Sequence, residues 1–464
     1  MREKNTEHHT NALKNLIIIV FLLLAFLLPI LVGVNGKRTL CILSFMLNGL
    51  LFIFGIFRAQ KKNPFSLELI YWIFMFLFMY FAPIIQYLLS DWPWQGILRS
   101  RDILFANAII LLFNVLFIVG GMLAARVKAT RLPNFHVAHF LCGSFELKSK
   151  SRILVMIGIF LLTVFSLSQT GLMGIIVSRG QAQEVFYSGD NSAVELIVDL
   201  VLPAFFAYGV AEAAQEMKSK KKGYGRFIFL FLCLLICFFP TALPRYKMAA
   251  IYGTVFIVLF PSIKKGTRFF WLFIFAIAFA FPLMSAFRHV ISMENLRSVF
   301  EDGFLAEYTT ADYDAYRMLS SAITYVRNNG IVWGKQLLGV LLFFVPRSLW
   351  ATKPEGSGAM LIRHEQGKDA FSNVSCPFLA EGYLNFGIVG LSLFAILLAI
   401  IIYKLDTYYW TYNQEDEYNI FSPYLFLIFM VFFLLRGDLL SGFAYLCGFV
   451  ATGFLLKIIA RYIG

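Results

Sequence analysis

Charge is scarce in this chain: 14% of its 464 residues are Asp, Glu, Lys or Arg, whereas 59% are hydrophobic. A soluble protein of this length needs far more polar surface, so the composition indicates a polytopic membrane protein. Cysteine is also sparse, and the six cysteines show neither a disulfide framework nor the CxxC spacing of a metal site. Low-complexity segments and convincing internal repeats are absent too.

Apolar runs long enough to cross a bilayer as helices occur about twelve times. They predict an all-α polytopic fold and a single integral membrane domain over residues 1–464, with about nine spans in 15–287 and about three in 378–464. An outer loop with short helices, 288–377, precedes the antepenultimate span. The predicted spans are 15–34, 39–57, 67–89, 103–125, 153–169, 196–215, 227–243, 248–263, 269–287, 378–403, 422–436 and 441–459.

The net charge of +13 is concentrated in basic clusters that fall in alternate loops. This is the pattern of the positive-inside rule, so the clusters are predicted to be cytoplasmic, as are both termini. The excess of positive charge then reflects topology and lipid headgroups, and no nucleic-acid partner is expected. The clusters begin at Arg58, Arg126, Lys218 and Lys264.

The loop 288–377, at about ninety residues, is too long for an ordinary connection. Apolar residues at helical spacing between Tyr316 and Val326 predict an amphipathic helix that stops at Gly330. The apolar run 336–345 is too short to span a bilayer. It predicts a re-entrant or interfacial helix that ends at Pro346 and presents Arg347 at the membrane surface.

Arginines are unexpectedly frequent on the predicted outer side. Short outer loops should contain few basic residues, yet Arg245, Arg288 and Arg436 lie in or beside such loops. A single arginine at a helix end commonly snorkels to the interface. Arginine also forms two bonds at once with phosphate. The group, with Arg347 and Lys353 of the long loop, therefore predicts a diphosphate-binding site.

Three residues are candidates for a catalytic base, in the order His289, Glu381 and Asp314. Each has a structural alternative: a solvated loop histidine, a carboxylate paired with an arginine, and a helix cap. No metal site is predicted. Trp350 and Tyr383 are candidates for stacking on sugar rings, although interfacial anchoring explains such aromatic residues equally well.

Four runs of sequence carry a family resemblance. They are Val345–Pro354, the Glu381–Gly387 run that opens a late span, the Pro244–Lys247 turn and the Arg436–Asp438 turn. Together with the topology they resemble the Wzy-type polymerase family, which joins oligosaccharide repeat units of bacterial O-antigens, capsules and related polymers.

The resemblance implies a GT-C-like membrane glycosyltransferase in the bacterial cytoplasmic membrane. Its substrate would be an undecaprenyl-diphosphate-linked oligosaccharide, extended on the outer face without a nucleotide sugar, cofactor or required metal. Membrane lipids and a chain-length regulator are the other expected partners. By resemblance Arg245, Arg288 and Arg347 would bind the lipid diphosphate, and Arg436 would line the same cavity.

Two alternatives remain open, and the short first outer loop counts strongly against a third. An O-antigen ligase-like enzyme uses the same donor and a similar late loop but another acceptor. A lipid-linked oligosaccharide flippase or other transporter would instead carry charged residues in the middle of its spans. A classical polyprenyl-phosphate sugar transferase would place acidic residues in a long first outer loop, and here that loop is only about Val34 to Arg38.

Overall fold

A computed structural model gives the structure of residues 2–34, 36–94, 98–126, 136–170, 192–280, 305–367, 370, 373–412 and 421–463. Helix accounts for 81% of the structure, and no strand occurs in these ranges. The predicted all-α class is therefore confirmed for the described residues. The α-helices are α1 Arg2–Leu27, α2 Thr39–Lys62, α3 Leu67–Phe76, α4 Ala82–Leu89, α5 Ser100–Arg126, α6 His136–Cys142, α7 Ser149–Thr170, α8 Ser192–Lys220, α9 Tyr224–Cys237, α10 Arg245–Met248, α11 Thr254–Leu259, α12 Arg268–Phe275, α13 Ala315–Asn329, α14 Lys335–Leu341, α15 Ser357–Gln366, α16 Phe378–Tyr412, α17 Tyr424–Arg436 and α18 Leu439–Ile463.

The chain divides into two compact units. The single integral membrane domain stays a prediction. Each unit contains candidate membrane helices. The first unit comprises Met1–Pro133, Asp302–Asp406 and Val431–Phe443, and the second comprises Asn134–Glu301, Thr407–Met430 and Ala444–Gly464.

Seven helices of the described ranges are long and apolar enough to cross a membrane. They coincide with seven of the predicted spans, and three shorter apolar helices coincide with three more. The helical membrane class is thereby confirmed, while the total of about twelve spans stays a prediction. The seven helices are Thr39–Lys62, Leu67–Leu89, Ser100–Arg126, Ser149–Ser168, Tyr224–Ala242, Phe378–Thr411 and Leu439–Ile463.

The segment Leu67–Leu89 forms the centre of the first unit, with 94% of its apolar window buried. The hydroxyl of Ser66 accepts a hydrogen bond from the Leu69 amide, and the carboxylate of Asp406 accepts from the amides of Leu67 and Glu68 at 2.9 and 3.0 Å. These acceptors satisfy N–H groups that have no partner within the helix. The start of the buried helix is thus fixed by a carboxylate far away in sequence.

The late apolar run contains a sharp reversal that its hydropathy does not reveal. Helix α16 is interrupted at Phe386 and Gly387, and Gly387 has a φ of +62°, which favours glycine. A Cβ atom at Gly390 would lie 2.1 Å from the carbonyl oxygen of Gly382. Residues 378–385 therefore fold back against the helix that starts at Ile388, because eight residues of continuous helix would separate these glycines by about 12 Å.

Two short helices of the predicted outer loop lead to the cleft described below. Helix α13 buries Tyr316, Leu319 and Ile323 on one face, and Gly330, with a φ of +81°, ends it. Helix α14 is shorter than the predicted run 336–345: it ends at Leu341, and turns continue to Pro346. The turns direct the chain into the segment that carries Arg347.

In the second unit, two of the predicted cytoplasmic basic clusters contribute arginines to one ion-pair network. Arg152 contacts Glu212 at 2.9 Å and also pairs with Glu216. Arg226 contacts Glu212 at 2.5 Å and Glu216 at 3.0 Å. Part of the positive charge that predicted the topology is therefore neutralised by neighbouring helices.

Candidate functional site

A cationic cleft of about 710 Å³ opens in the first unit beside the turn at Pro346. Four of its lining residues are basic and one is acidic, which gives the lining a net charge of +3. Such a concentration of one sign of charge in a concave site attracts anions. The lining residues are Lys335, Gln336, Arg347, Thr352, Lys353, Pro354, Glu355, Met360 and Arg363.

Arg347 and Lys353, both predicted as diphosphate ligands, lie together in this cleft. The Arg347 guanidinium donates to the carbonyl of Lys353 at 2.9 Å. The Lys353 ammonium donates to the carbonyls of Phe343 and Val345 at 2.6 and 2.9 Å. Burial, and then the charge of Arg347, lower the pKa of Lys353. The two cations are held by backbone, so most of their charge is left for a ligand.

Lys335 and Arg363 complete the basic lining and were not predicted as site residues. Lys335 is the exposed first residue of α14, and Arg363 lies in the last turn of α15. Arg363 pairs with Glu355, but its Nε has no hydrogen-bond partner among the described residues. No described carboxylate lies within ion-pair distance of Lys335, Arg347 or Lys353. The cleft therefore holds three cations without an anionic partner.

Glu381 lies in a buried polar cluster rather than in the lining of the cleft. Its carboxylate accepts from the hydroxyl of Ser357 at 2.7 Å and from the amide of Leu439 at 3.2 Å. An arginine partner, the structural alternative for this residue, is not found among the described residues. Ser357 follows the cleft residue Glu355 by two positions, so Glu381 supports the wall of the cleft from behind.

Asp438 lies against the same stretch of the cleft wall. Its carboxylate occupies the space that a side chain at Gly356 would need, since a Cβ there would lie 1.6 Å from Oδ2. Burial raises the pKa of Asp438, while hydrogen bonds from Ser441 and Leu440 oppose the rise. Two of the four runs that carry the family resemblance thus contact residues 356–357, which closely follow the end of a third run at Pro354.

Asp314 and Arg436 form a second buried polar centre in the first unit. Asp314 precedes α13 but does not cap it with its side chain. Its carboxylate accepts from Arg436 at 3.0 Å, from the Trp94 indole at 2.8 Å and from the Ser375 amide at 3.2 Å. Arg436 also donates to the carbonyls of Ala311 and Asp312, at 3.0 and 2.9 Å.

These contacts hold Arg436 against residues 311–314. Neither residue is among those that line the cleft. The roles of Asp314 as a base and of Arg436 as a diphosphate ligand stay predictions. The contacts that the structure shows anchor the turn before α13.

The two aromatic sugar-binding candidates differ in position. The indole of Trp350 donates to the hydroxyl of Thr352, which lines the cleft, at 3.2 Å. Tyr383 is buried and packs edge-on against Phe105, with ring centroids 6.3 Å apart. Trp350 is therefore adjacent to the cleft, whereas Tyr383 contributes to the packing of the short helical segment 378–385.

One further predicted residue, Arg245, belongs to the second unit. Arg245 is the half-buried first residue of α10, directly after Pro244. Two residues on, Lys247 is buried and pairs with Asp199, which also accepts from the Tyr445 hydroxyl at 2.7 Å. Arg288 and His289 lie outside the described residues, so their predicted roles as diphosphate ligand and base stay predictions.

In the part of the chain that the structure describes, no three His, Cys, Asp or Glu side chains are grouped so that they could hold a metal ion. Metal-independent chemistry stays a prediction. No family model, curated protein or solved structure matches the chain.

The geometry suits an anion with more than one charged centre. The basic side chains come from the start of α14, the segment after Pro346 and the end of α15, so they approach the cleft from different elements. Lysine acts as a compact point charge, whereas the planar fork of arginine binds two phosphate oxygens at once. Two phosphoryl groups in sequence would use both kinds of contact.

Proposed function

We propose that the chain is a membrane glycosyltransferase that uses a polyprenyl-diphosphate-linked donor, and specifically a polymerase of undecaprenyl-diphosphate-linked repeat units. The observation that carries the proposal is the cationic cleft, in which Arg347 and Lys353 are joined by Lys335 and Arg363. A helical membrane protein with such a cleft is suited to a substrate that combines a lipid with a diphosphate.

The reaction follows from the charge of the cleft. A hydroxyl of the acceptor sugar attacks the anomeric carbon of the donor glycan and forms the new glycosidic bond. The bond from that carbon to the diphosphate oxygen breaks, and undecaprenyl diphosphate leaves with the electron pair. Negative charge therefore grows on the diphosphate in the transition state, where preorganised cations stabilise it most.

The acceptor hydroxyl must also lose a proton. Glu355 is the carboxylate that lines the cleft, and we assign it as the proton acceptor. Glu355 also pairs with Arg363, so the assigned base lies beside one of the cations of the cleft. His289, Glu381 and Asp314 were proposed from sequence for this role, but neither Glu381 nor Asp314 is among the residues that line the cleft.

We also propose a GT-C-like arrangement of about twelve spans in the bacterial cytoplasmic membrane, with both termini cytoplasmic and the cleft on the outer face. The alternating basic clusters support this orientation. Membrane lipids and a chain-length regulator are the proposed partners, and no cofactor or nucleic acid takes part.

The test is the glycan profile of a strain that lacks the gene. A polymerase deletion leaves single repeat units on the final acceptor, and a plasmid copy of the gene restores long chains. A deletion that leaves the acceptor bare would identify a ligase instead, and one that accumulates repeat units on the cytoplasmic side would identify a flippase. Either of those two results contradicts the proposal.

A further inference from the structure

Large apolar side chains are exposed along one edge of the cleft. Residues 331–350, here called the lip segment, connect α13 to the stretch after Pro346 and contain α14. In this segment Trp333 is 78% exposed, Leu341 61% and Leu349 81%, and Leu338 and Phe344 are also exposed. Exposed apolar side chains grouped within one segment often mark an interaction site.

The exposed Trp333 also has an unusual backbone conformation. Trp333 has a φ of +52° and is followed by Gly334 at +77°, so a bulky residue occupies the left-handed region. Hydrogen bonds on both sides maintain the turn: the Val332 amide donates to Leu384 at 3.0 Å, and the Lys335 amide donates to Val332 at 3.1 Å. Costly conformations of this kind are found at functional sites more often than elsewhere.

The lip segment adjoins the exposed start of a candidate membrane helix. Gly334 lies against the ring of Phe386, since a Cβ atom at Gly334 would be 2.9 Å from it. Phe386 starts the reversal in α16, and directly after it Ile388 and Val389 are 52% and 67% exposed. The apolar edge of the cleft and the exposed start of the membrane helix therefore adjoin.

The basic residues of the lip segment are also placed as in a segment that lies at a membrane surface. Lys335 and Arg347 lie among these apolar residues and line the cleft. An apolar set that penetrates the acyl boundary, with cations at the level of the phosphates, is the arrangement of interfacial membrane segments. A water-soluble partner would not account for the continuity with the membrane helix.

We propose that the lip segment inserts into the adjoining lipid leaflet, so that the cationic cleft opens at headgroup depth and receives its diphosphate from a lipid. The occupant of the apolar edge is the bilayer. That the cleft binds a polyprenyl diphosphate rests on the proposed function; the insertion itself does not. A substrate whose diphosphate is already at the membrane surface then reaches Arg347 without leaving the leaflet.

The insertion is tested with spin labels on the full chain in vesicles of phosphatidylethanolamine and phosphatidylglycerol. A label at Leu341→Cys should be accessible to oxygen and shielded from a water-soluble nickel chelate. The matched control is Asn328→Cys, which is exposed near the end of α13 and should show the reverse. Equal nickel accessibility at both positions overturns the insertion. Close pairs of labels between copies, seen by double electron–electron resonance, would assign the edge to a second copy and overturn it too.

A binding experiment separates the insertion from the proposed function. In the same vesicles, Leu341→Gln with Leu349→Gln should weaken the binding of undecaprenyl diphosphate about tenfold and leave that of soluble inorganic diphosphate unchanged. Arg347→Ala should weaken both. Equal weakening of both ligands by the glutamine variant contradicts delivery from the leaflet. If neither wild-type ligand binds while the label at position 341 stays in lipid, the proposed function fails and the insertion stands.

Discussion

The guanidinium of Arg347 donates a 2.9 Å hydrogen bond to the main-chain carbonyl of Lys353. The ammonium of Lys353 in turn donates to the carbonyls of Phe343 and Val345, on the other side of Pro346. The two cations are thus fixed across one turn before any ligand arrives. Groups that need no reorganisation when charge develops stabilise a transition state more effectively than mobile ones.

Replacing Arg347 tests the cleft directly. Arg347→Ala should weaken the binding of undecaprenyl diphosphate about a hundredfold or more, because each charge-assisted hydrogen bond contributes about 1.5–3 kcal/mol. Arg347→Lys should retain part of the affinity as a point charge. The control is Arg101→Ala, an exposed arginine at the start of α5. Binding is measured on the purified protein in vesicles, and wild-type affinity in Arg347→Ala would rule out the cleft as the diphosphate site.

The lowered pKa of Lys353 predicts a loss of affinity at alkaline pH. The ammonium binds an anion only when it is protonated, so its contribution is complete below its pKa and is lost as the pH rises through it. A bound diphosphate raises this pKa again, and binding on the alkaline side takes up a proton. Lys353→Arg should keep its affinity to higher pH because the guanidinium does not titrate there.

The measurement is the affinity for undecaprenyl diphosphate between about pH 7 and pH 10. Wild type should weaken across this interval and Lys353→Arg should not. Parallel curves for the two proteins would show that Lys353 does not contribute its charge to binding.

The contacts of Arg436 predict a loss of stability. Arg436→Ala removes one partner of the buried Asp314 carboxylate, a change that costs about 3–5 kcal/mol in comparable pairs. A second substitution, Asp314→Asn, should recover part of the loss because the uncompensated charge is gone. Thermal unfolding in detergent measures both, with exposed Arg461→Ala as the control. Unchanged unfolding together with weakened diphosphate binding would support the ligand role that the sequence predicts for Arg436.

The close contact of Gly390 with Gly382 in α16 predicts that alanine at Gly390 lowers the stability of the protein, whereas alanine at Gly121 does not. Gly390→Ala places a methyl group 2.1 Å from the carbonyl oxygen of Gly382 and should destabilise the protein by about 1–3 kcal/mol, as overpacking usually does. Gly121→Ala in α5 meets nothing within 4 Å and should be neutral or slightly stabilising. Thermal unfolding compares the two, and equal midpoints would argue against the close glycine contact.

The assignment of Glu355 as the proton acceptor predicts a separation of binding from turnover. Glu355→Gln should lower the rate of chain extension about 10²–10⁴-fold, the usual contribution of a general base. Its affinity for undecaprenyl diphosphate should not fall, since a negative charge has been removed from the cleft. The same assay on Glu381→Gln distinguishes the candidates: a normal rate in Glu355→Gln and a loss in Glu381→Gln would restore the role to Glu381.

Composition and hydropathy were sufficient to predict the class of fold, because the cost of burying polar groups in lipid leaves a strong signal in sequence. They could not detect the reversal at Phe386–Gly387. Hydropathy sums side-chain contributions, whereas the reversal depends on the backbone dihedral angles of two residues. The predicted span 378–403 therefore contains both a short folded-back helix and the start of a longer one.

The site was predictable only where its residues are close in sequence. Pro346, Arg347 and Lys353 lie within eight residues of each other, and the turn brings them together. Lys335 and Arg363 reach the same cleft from two other helices. An available signal was the position of Lys335 directly before an apolar run too short to cross a bilayer. The carboxylate of Asp314 accepts a hydrogen bond from Arg436, which lies more than a hundred residues away, and no local sequence pattern encodes that pair.

The reversal in α16 determines which groups surround the carboxylate of Glu381. Residues 388–412 alone extend about 37 Å as a helix, enough to cross a hydrocarbon layer of about 30 Å. The membrane crossing thus does not require residues 378–385, which fold back against protein. An ionised side chain in the hydrocarbon would be costly. Because the chain turns there, the Glu381 carboxylate lies within protein, where it accepts hydrogen bonds from the Ser357 hydroxyl and the Leu439 amide.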